Sequence, residues 1–259
     1  SIMTDATGNN YTTGSFSGTS DFNPGINSYS LSPVGYEDIF ILKLNASGNF
    51  VWAKTMGGNL GDGGQSITTD EFGNLYATGY FSDVVDFNAS AGVDTLTSYG
   101  TEDIFVLKLD TAGNYNWAKK IGGQGNETGN GICTDFHGNV YTTGRYALPC
   151  DFDPGINSFV LDNSGNAHTT IFISELDSSG NFVNAFSLGS PGSNNCEGMS
   201  IHSDLSGNIY TTGYYSGLVN FDPVTASYPL TAKGNYDLFV HKMGPPVITS
   251  MQAIKKTTK

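Results

Sequence analysis

The sequence predicts an all-β protein, a β-propeller built from four repeats of about 65 residues, each a four-stranded antiparallel blade. Two observations support this prediction: one phrase recurs four times along the chain, and the composition is rich in glycine and aromatic residues. Gly accounts for 34 of the 259 residues, Phe for 16 and Tyr for 14, whereas charged residues make up only 14%. Glycines that supply turns and aromatics that pack on pleated surfaces indicate short strands joined by tight hairpins.

The recurring phrase begins at four isoleucines separated by 65, 65 and 69 residues, namely Ile2, Ile67, Ile132 and Ile201. The copies read IMTDATGNNYTTG, ITTDEFGNLYATG, ICTDFHGNVYTTG and IHSDLSGNIYTTG. Self-similarity at a fixed period is the signature of a repeat architecture. We therefore divide the chain into repeats 1–66, 67–131, 132–200 and 201–243, followed by 244–259 as a divergent last strand or a linker toward a further region.

Each repeat predicts four strands, a to d. In the second repeat these are ITTD, LYATGYF, DIFVLKL and NYNWAKKI. An Asp followed by Gly-Asn marks a tight hairpin between a and b, and another Gly-Asn turn joins c to d. Both faces of strand c are apolar, since Phe105 and Leu107 alternate with Ile104 and Val106. A sheet buried on both faces is typical of a propeller blade, with a linear solenoid as the competing architecture.

The last copy departs from the pattern after Met243. There the letters GPP replace the expected Gly-Asn turn. The following VITSMQAIKK is either a divergent fourth strand, with Met251 in the place of Trp52 and Trp117, or a linker. Four copies fit a closed four-bladed ring or an arc of a larger propeller. Because the chain opens inside a repeat, we also expect a natural N-terminus upstream or a processed one.

The motifs DxxGNxYxTG, DFxPG, DIFxLKL and GNFxWAKxxGG together resemble the SBBP beta-propeller repeat family, and more narrowly SBBP-type surface proteins of Bacteroidota. The resemblance covers essentially the whole chain. It implies secretion or cell-surface display, in a family whose members often end in a sorting domain for type IX secretion, and it transfers no catalytic residues. Repeat 3 departs most from the pattern: Asn184 replaces the Trp, Thr170 the strand c Asp, and Glu175 the Lys.

Charge narrows the partners. The net charge of −13 and the pI near 4.4 disfavour phosphate backbones and anionic lipids. No stretch approaches the roughly 18 apolar residues of a membrane span. We therefore expect no nucleic-acid partner and no direct membrane insertion.

Carboxylates recur in the loops between strands b and c and between strands d and a, which should lie at one end of the sheets. Clustered oxygen ligands suit Ca²⁺, and the candidates in the b–c loops are Asp21, Asp86, Asp151, Asp153 and Asp222. Asx-Pro-Gly is also ordinary turn chemistry, and no DxDxDG loop occurs, so no cofactor is assigned. The d–a loops add Asp62, Glu127 and Glu197.

Three further predictions concern single side chains. Cys150 and Cys196 lie in loops of repeat 3 that each gain about two residues, and we predict a disulfide between them, as an oxidising exterior would allow. Cys133 in strand a is expected to be a buried thiol. Thr95 and Thr111 match the Asp-Thr-aliphatic O-glycosylation pattern of Bacteroidota.

These observations favour a non-catalytic, secreted or cell-surface module, acting in adhesion or as a scaffold or subunit of a larger surface assembly. Its partner would be a surface protein or a glycan. Loops vary most in repeat 3, so segments 150–167 and 189–197 are expected to provide specificity. The alternative is a carbohydrate-active propeller enzyme with carboxylates at the mouth of the ring. Acids that occupy repeated columns favour a structural role over catalysis.

Overall fold

The computed structural model describes residues 1–89, 92–163, 168–189, 195–222 and 228–244. All regular elements in these ranges are strands. Repeat 1 contains β1 (Ile2–Thr4), β2 (Asn10–Phe16), β3 (Ser20–Asp21), β4 (Ser30–Leu31), β5 (Asp38–Leu44) and β6 (Phe50–Met56). Repeat 2 contains β7 (Gly63–Thr69), β8 (Leu75–Phe81), β9 (Val84–Asp86), β10 (Thr95–Thr97), β11 (Asp103–Leu109) and β12 (Tyr115–Gly123).

Repeats 3 and 4 continue the same order. Repeat 3 contains β13 (Thr128–Thr134), β14 (Val140–Tyr146), β15 (Cys150–Asp151), β16 (Val160–Leu161), β17 (Thr170–Leu176) and β18 (Phe182–Leu188). Repeat 4 contains β19 (Glu197–Ser203), β20 (Ile209–Tyr215), β21 (Leu218–Asn220), β22 (Pro229–Thr231) and β23 (Asp237–Met243). No helix long and apolar enough to cross a membrane occurs within the described ranges.

The long strands of each repeat form one antiparallel sheet. Sheet 1 has the order β1-β2-β5-β6, sheet 2 β7-β8-β11-β12, sheet 3 β13-β14-β17-β18 and sheet 4 β19-β20-β23. The predicted strands a to d are therefore confirmed in the first three repeats. In the fourth, strands a to c are described, and the hypothesis that Met251 belongs to a fourth strand concerns residues outside the described ranges.

The chosen repeat boundaries fall inside strands. Ile67 lies in the middle of β7, which begins at Gly63 and pairs with β8 through a bulge after Gly64. The boundaries at 131/132 and 200/201 lie inside β13 and β19 in the same way. In β7 the strand begins with two glycines, which have no side chains to show an alternating pattern, so the sequence hid the first half of this strand.

Each b–c connection contains a short hairpin that the sequence did not reveal: β3–β4, β9–β10, β15–β16 and β21–β22. In repeat 3, Cys150 of this hairpin pairs with Gly123 on the outer strand of sheet 2. In repeat 2, Asp86 forms a bridge with Gly57 just after β6. These hairpins therefore attach a repeat to the outer strand of the repeat before it.

The core consists of three apolar clusters, one between each pair of consecutive sheets. Phe105 and Leu107 of β11 belong to the cluster shared with sheet 1, whereas Ile104 and Val106 belong to the cluster shared with sheet 3. All four side chains are fully buried. The prediction that strand c is covered on both faces is confirmed for β11, whereas Leu238 and Val240 on one face of β23 are exposed.

The tryptophans in strand d join neighbouring repeats. Trp52 packs edge-on against Tyr11 and lies against Gly113, in the c–d turn of repeat 2. Trp117 packs against Tyr76, and its Nε1 donates to the carbonyl of Ser178 in the c–d turn of repeat 3, at 3.3 Å. The contacts place both rings in the packing between sheets.

Aspartates close the a–b turns by binding backbone N–H groups. Oδ1 of Asp70 accepts from Phe72 N at 3.0 Å and from Asn74 N at 2.9 Å. Oδ2 accepts from Nδ2 of Asn74 at 2.8 Å and from the Tyr76 hydroxyl at 3.2 Å. Gly73 adopts a φ of +80°, which other residues rarely adopt. The same turn recurs at Asp5, Asp135 and Asp204.

Candidate functional site

Three of the aspartates proposed as calcium ligands in the b–c loops accept hydrogen bonds from backbone N–H groups of their own turns. Oδ1 of Asp21 accepts from Asn23 N at 3.0 Å and from Tyr29 N at 2.8 Å. Oδ1 of Asp86 and of Asp151 accept from the two equivalent N–H groups of their own loops. In repeat 4 the amide oxygen of Asn220 makes the same two bonds. The neutral amide of Asn220 makes the same two hydrogen bonds as the aspartates, so these bonds do not require a charged side chain.

The remaining two candidates lie next to this column. Asp153 caps its own turn by accepting from Gly155 N at 2.8 Å, and Asp222 donates its N–H to Asn220. Within the described ranges, no group of three or more His, Cys, Asp or Glu side chains is arranged to hold a metal ion. Calcium binding therefore stays a prediction.

Two carboxylates of the d–a loops act as internal clamps. Asp62 accepts from Gly58 N and Ser82 N, both at 2.8 Å, so it ties the d–a loop to the end of strand b. Glu127 accepts from Gly123 N at 3.1 Å in the equivalent place. Both side chains are fully buried, and desolvation raises the pKa of Asp62 to about 6 and that of Glu127 to about 8. Both carboxylates are therefore enclosed and support the loops that they join.

Glu197, the third acidic residue of the d–a loops, has different hydrogen-bond partners. Its Oε1 accepts from Nδ2 of Asn130 at 2.8 Å and lies 3.6 Å from Nε of Arg145. Its Oε2 accepts from the hydroxyl of Tyr214. Glu197 is therefore half-buried between sheets 3 and 4 and connects polar groups of both.

The structure reveals a polar ridge that the sequence analysis missed. Strand b ends in YTTGSF, YATGYF, YTTGRY and YTTGYY, and the fifth letter of this otherwise nearly constant phrase varies. The varying residues are Ser15, Tyr80, Arg145 and Tyr214. Together with the glutamates that they approach, Glu37, Glu102 and Glu197, we call them the variable ridge. A variable position within a constant repeat was the signal that would have found it.

The ridge continues from sheet to sheet. The Ser15 hydroxyl donates to Oε2 of Glu37 at 3.2 Å. Desolvation and the charges of Glu102 and Glu37 raise the pKa of Tyr80. Three of the four repeats contribute a glutamate, and Arg145 is the one cation among the ridge residues defined above.

At its far end the ridge becomes aromatic. The Tyr214 ring packs edge-on against Tyr236, with ring centres 5.2 Å apart. Desolvation and the hydrogen bond to Glu197 raise the pKa of Tyr214 to about 12, so the phenol remains a neutral donor at physiological pH. Tyr236 is 54% exposed. Acidic, aromatic and hydrogen-bonding groups thus lie together on accessible surface.

A cleft, separate from the variable ridge, lies at the edge of sheets 2 and 3. It is a cleft of about 960 Å³ between β10, β12 and the loop that leads into β15–β16. Its polar lining includes Asp94, Lys119, Lys120, Asp151 and Asp153. The described part of the predicted specificity loop 150–167 therefore forms one wall of this cleft.

The predicted disulfide between Cys150 and Cys196 is absent from the structure, which corrects that prediction. Cys150 packs in the cluster between sheets 2 and 3, whereas Cys196 packs in the cluster between sheets 3 and 4. Sγ of Cys196 faces the carbonyl of Ser216 at 3.9 Å. The two sulfurs therefore lie in clusters on opposite sides of sheet 3. Cys133 is buried in β13, as expected.

The remaining predicted sites lie on the surface or outside the described ranges. Thr95 in β10 and Thr111 in a c–d turn are both exposed. Their glycosylation stays a prediction. The repeat 3 segments expected to provide specificity include residues 164–167 and 190–194, which lie outside the described ranges.

Comparison with known proteins agrees with this architecture. Over 200 residues the chain is 26% identical to an uncharacterized WD repeat-containing protein of Acanthamoeba polyphaga mimivirus. The aligned part covers 70% of this chain and 14% of the viral protein, so the chain spans a small part of that relative's length. The beta-propeller repeat family SBBP matches residues 116–145, from β12 into β14. The chain is thus similar to β-propeller repeat proteins, and its series of antiparallel sheets is consistent with that fold.

Proposed function

We propose that this chain is a non-catalytic interaction or scaffold module, built from four propeller blades, whose contact surface is the variable ridge. One observation supports the ridge above other surfaces: it takes its varying residues from the same position of all four repeats. Repeat scaffolds acquire specificity by changing surface positions while the packing positions stay constant. Tyr and Arg, which supply three of the four varying positions, are also enriched among residues that dominate binding energy.

The chemistry of the ridge indicates the kind of partner. The ridge holds three glutamates and a single cation, Arg145, which pairs with Glu197, and the whole chain has a net charge of −13. A partner surface with Lys or Arg side chains would complement this charge and accelerate encounter. We therefore propose a protein partner with a basic, hydrogen-bonding surface.

Site-specific photo-cross-linking tests this proposal in cells of the native source. A photoreactive phenylalanine analogue replaces Tyr80 in one variant, Tyr214 in a second and Phe72 in a control. Phe72 is 74% exposed but lies in an a–b turn, at the other end of the sheet. Links from positions 80 and 214 to one common protein, without links from position 72, would support the proposal. Equal labelling at all three positions, or none at 80 and 214, would overturn it.

Affinity then measures the contribution of the ridge. With the cross-linked protein purified, we expect Tyr80→Ala and Tyr214→Ala each to weaken binding by tenfold or more. Phe72→Ala should leave the affinity unchanged. Salt should weaken the wild-type complex, because charge attraction between exposed groups is screened.

A glycan ligand is the second candidate, favoured by the cleft between sheets 2 and 3. Its volume of about 960 Å³ can hold an oligosaccharide, and charged and hydroxyl-bonding side chains line it. A glycan array probed with the wild type and with Lys120→Ala would test this. Binding that disappears in the variant would support a glycan site. Hydrolysis of the bound glycan would favour the carbohydrate-active enzyme instead.

We further propose secretion or surface display, on the strength of the resemblance to SBBP-type surface proteins. Adhesion and export by type IX secretion belong to the same proposal. Labelling of intact cells with a membrane-impermeant amine reagent tests it, since Lys119 and Lys120 should react without lysis. Mass spectrometry of the same material would show whether Thr95 or Thr111 bears a glycan.

A further inference from the structure

The outer edge of β12 lies in the cleft between sheets 2 and 3. On its inner side β12 pairs with β11 along its length, and on its outer side it pairs with β15 at Gly122 and Gly123. Residues 118–120 of β12 line the cleft together with these two glycines. The cleft therefore follows a sheet edge that already accepts a strand at one end.

The backbone of Lys120 is directed outward at this edge. Alternate residues of an antiparallel strand direct their N–H and C=O groups to opposite sides. The N–H of Ala118 points outward, because it donates to the Tyr115 hydroxyl at 2.8 Å, and Gly122 pairs outward with Asp151. Lys120 lies midway between Ala118 and Gly122, so its backbone groups point the same way. Within the described ranges, no strand pairs with Lys120 on that side.

One wall of the cleft contains a leucine in an unfavourable backbone conformation. Leu148 has a φ of +64°, whereas repeats 1 and 4 place Gly18 and Gly217 there, with φ of +71° and +67°. This left-handed conformation costs stability in a residue with a Cβ. The wall residue Leu148 lines the cleft, as do the apolar side chains of Leu96 and Val160. Strain at a cleft supports a binding role for the strained side chain.

Carboxylates outnumber amines in the lining of the cleft. The charged residues are Asp94, Asp151, Asp153, Lys119 and Lys120. The amine of Lys120 lies 3.6 Å from the carboxylate of Asp103, a buried residue that is not part of the lining. Three aspartates and Lys119 are left, so the charge of the cleft complements a Lys or Arg side chain.

We propose that the cleft binds an extended peptide segment of a partner protein, which adds as a strand to the edge of β12 beside β15. Backbone groups of Lys120 pair with the peptide, and Leu148 contacts one of its apolar side chains. Such strand addition takes its affinity from main-chain hydrogen bonds and its specificity from pockets for alternate side chains. A glycan is the other candidate for this cleft, but it has no regular row of N–H and C=O groups to match a sheet edge. The proposal adds a second contact surface and does not depend on the variable ridge.

A library of random linear heptapeptides, displayed on phage and selected on the purified protein, supplies the probe. Affinities of the selected peptides, synthesised with a fluorophore, are measured by fluorescence anisotropy. Lys120→Pro and Lys120→Ala both remove the amine, but only Lys120→Pro removes the N–H, a change that sheet edges tolerate. We expect Lys120→Pro to bind at least tenfold more weakly than Lys120→Ala. The control is Thr55→Pro, since Thr55 has the same place in β6 and lies outside the cleft.

Two further measurements separate binding from folding. Leu148→Gly should weaken binding at least tenfold without lowering the urea midpoint of unfolding, because glycine adopts a positive φ readily. Methylation of the peptide nitrogens, one at a time, should abolish binding at alternate positions, as a strand pairing requires. This second measurement leaves the protein unchanged.

Three results would overturn the proposal. The first is a selection that enriches no peptide, and a glycan retained by the wild type but lost in Lys120→Ala would then identify the ligand as a sugar. The second is peptides that bind Lys120→Pro and Lys120→Ala equally or tolerate methylation at every nitrogen. The third is peptides that lose affinity only in Tyr80→Ala, which would place them on the variable ridge and leave that proposal standing.

Discussion

Two valines at the same position of strand c provide a direct test of how neighbouring sheets stabilise this protein. Val106 in β11 is 0% exposed between sheets 2 and 3, whereas Val240 in β23 is 80% exposed. Each follows a buried phenylalanine, Phe105 or Phe239. Substituting each valine by alanine removes the same two carbons from the same local structure, so the burial of the side chain is the main difference.

The magnitude follows from the burial. Removing two buried carbons costs about 0.8 kcal/mol for each in lost transfer free energy, together about 1.6 kcal/mol. The cavity left between close-packed sheets adds to this, which brings the cost of Val106→Ala to about 2–3 kcal/mol. The lower strand propensity of alanine, up to about 1 kcal/mol, affects both variants and cancels in the comparison. We expect Val106→Ala to be less stable than Val240→Ala by about 2 kcal/mol.

Urea unfolding followed by intrinsic fluorescence measures the difference, at a protein concentration low enough to prevent association. Equal slopes of unfolding free energy against urea would show that both variants lose stability rather than change compactness. If the two variants unfold at the same urea concentration, the faces of sheets 2 and 4 are equally covered. The exposure of Val240 in the structure would then be wrong.

Three other predictions concern turns, buried carboxylates and thiols. Gly48 and Gly113 both have positive φ near +80°, but only a Cβ at Gly113 would meet the Trp52 ring. Gly113→Ala should therefore lower the unfolding free energy by more than the roughly 1–2 kcal/mol expected for Gly48→Ala. Equal losses would mean that Trp52 does not pack against Gly113. Burial raises the pKa of Glu127 to about 8, above its ordinary value, so the folded state holds a proton that the unfolded state releases, and this contribution to stability is lost as pH rises from about 4.5 through about 8. Melting temperatures across this range should fall less steeply for Glu127→Gln than for the wild type or for the exposed control Glu71→Gln, and parallel curves would contradict the assignment. Alkylation of unfolded, unreduced protein should modify all three cysteines. Modification of Cys133 alone would show instead that Cys150 and Cys196 form a disulfide.

Local chemistry made much of the architecture predictable. The a–b turn depends on Asp70, Gly73 and Asn74, which bind one another within five residues, so their spacing is visible in the chain. The apolar residues on both sides of β11 predicted a sheet covered on both faces. The repeated phrase then predicted four copies of these elements along the chain. For these features the interacting groups are close in sequence or alternate with the period of a strand.

Other features depend on contacts that no local pattern records. The b–c hairpins have strands of two or three residues, too short to alternate visibly, and in repeat 3 the hairpin pairs with the preceding sheet. The variable ridge combines one residue from each repeat and became visible only when those positions lay side by side. Cys150 and Cys196 lie in loops at one end of sheet 3, but they pack in separate clusters, and no local pattern records which cluster each cysteine joins.

Equivalent residues in different sheets show most clearly which properties the sequence determines and which depend on tertiary packing. Ile2 and Ile67 begin the same phrase, and Val106 and Val240 occupy the same place in strand c, yet one of each pair is buried and the other exposed. Residue type and strand period specify which side chains need covering. Whether a side chain is covered depends on a neighbouring sheet about 65 residues away in the chain, because burial is a property of the packed surfaces and not of the strand.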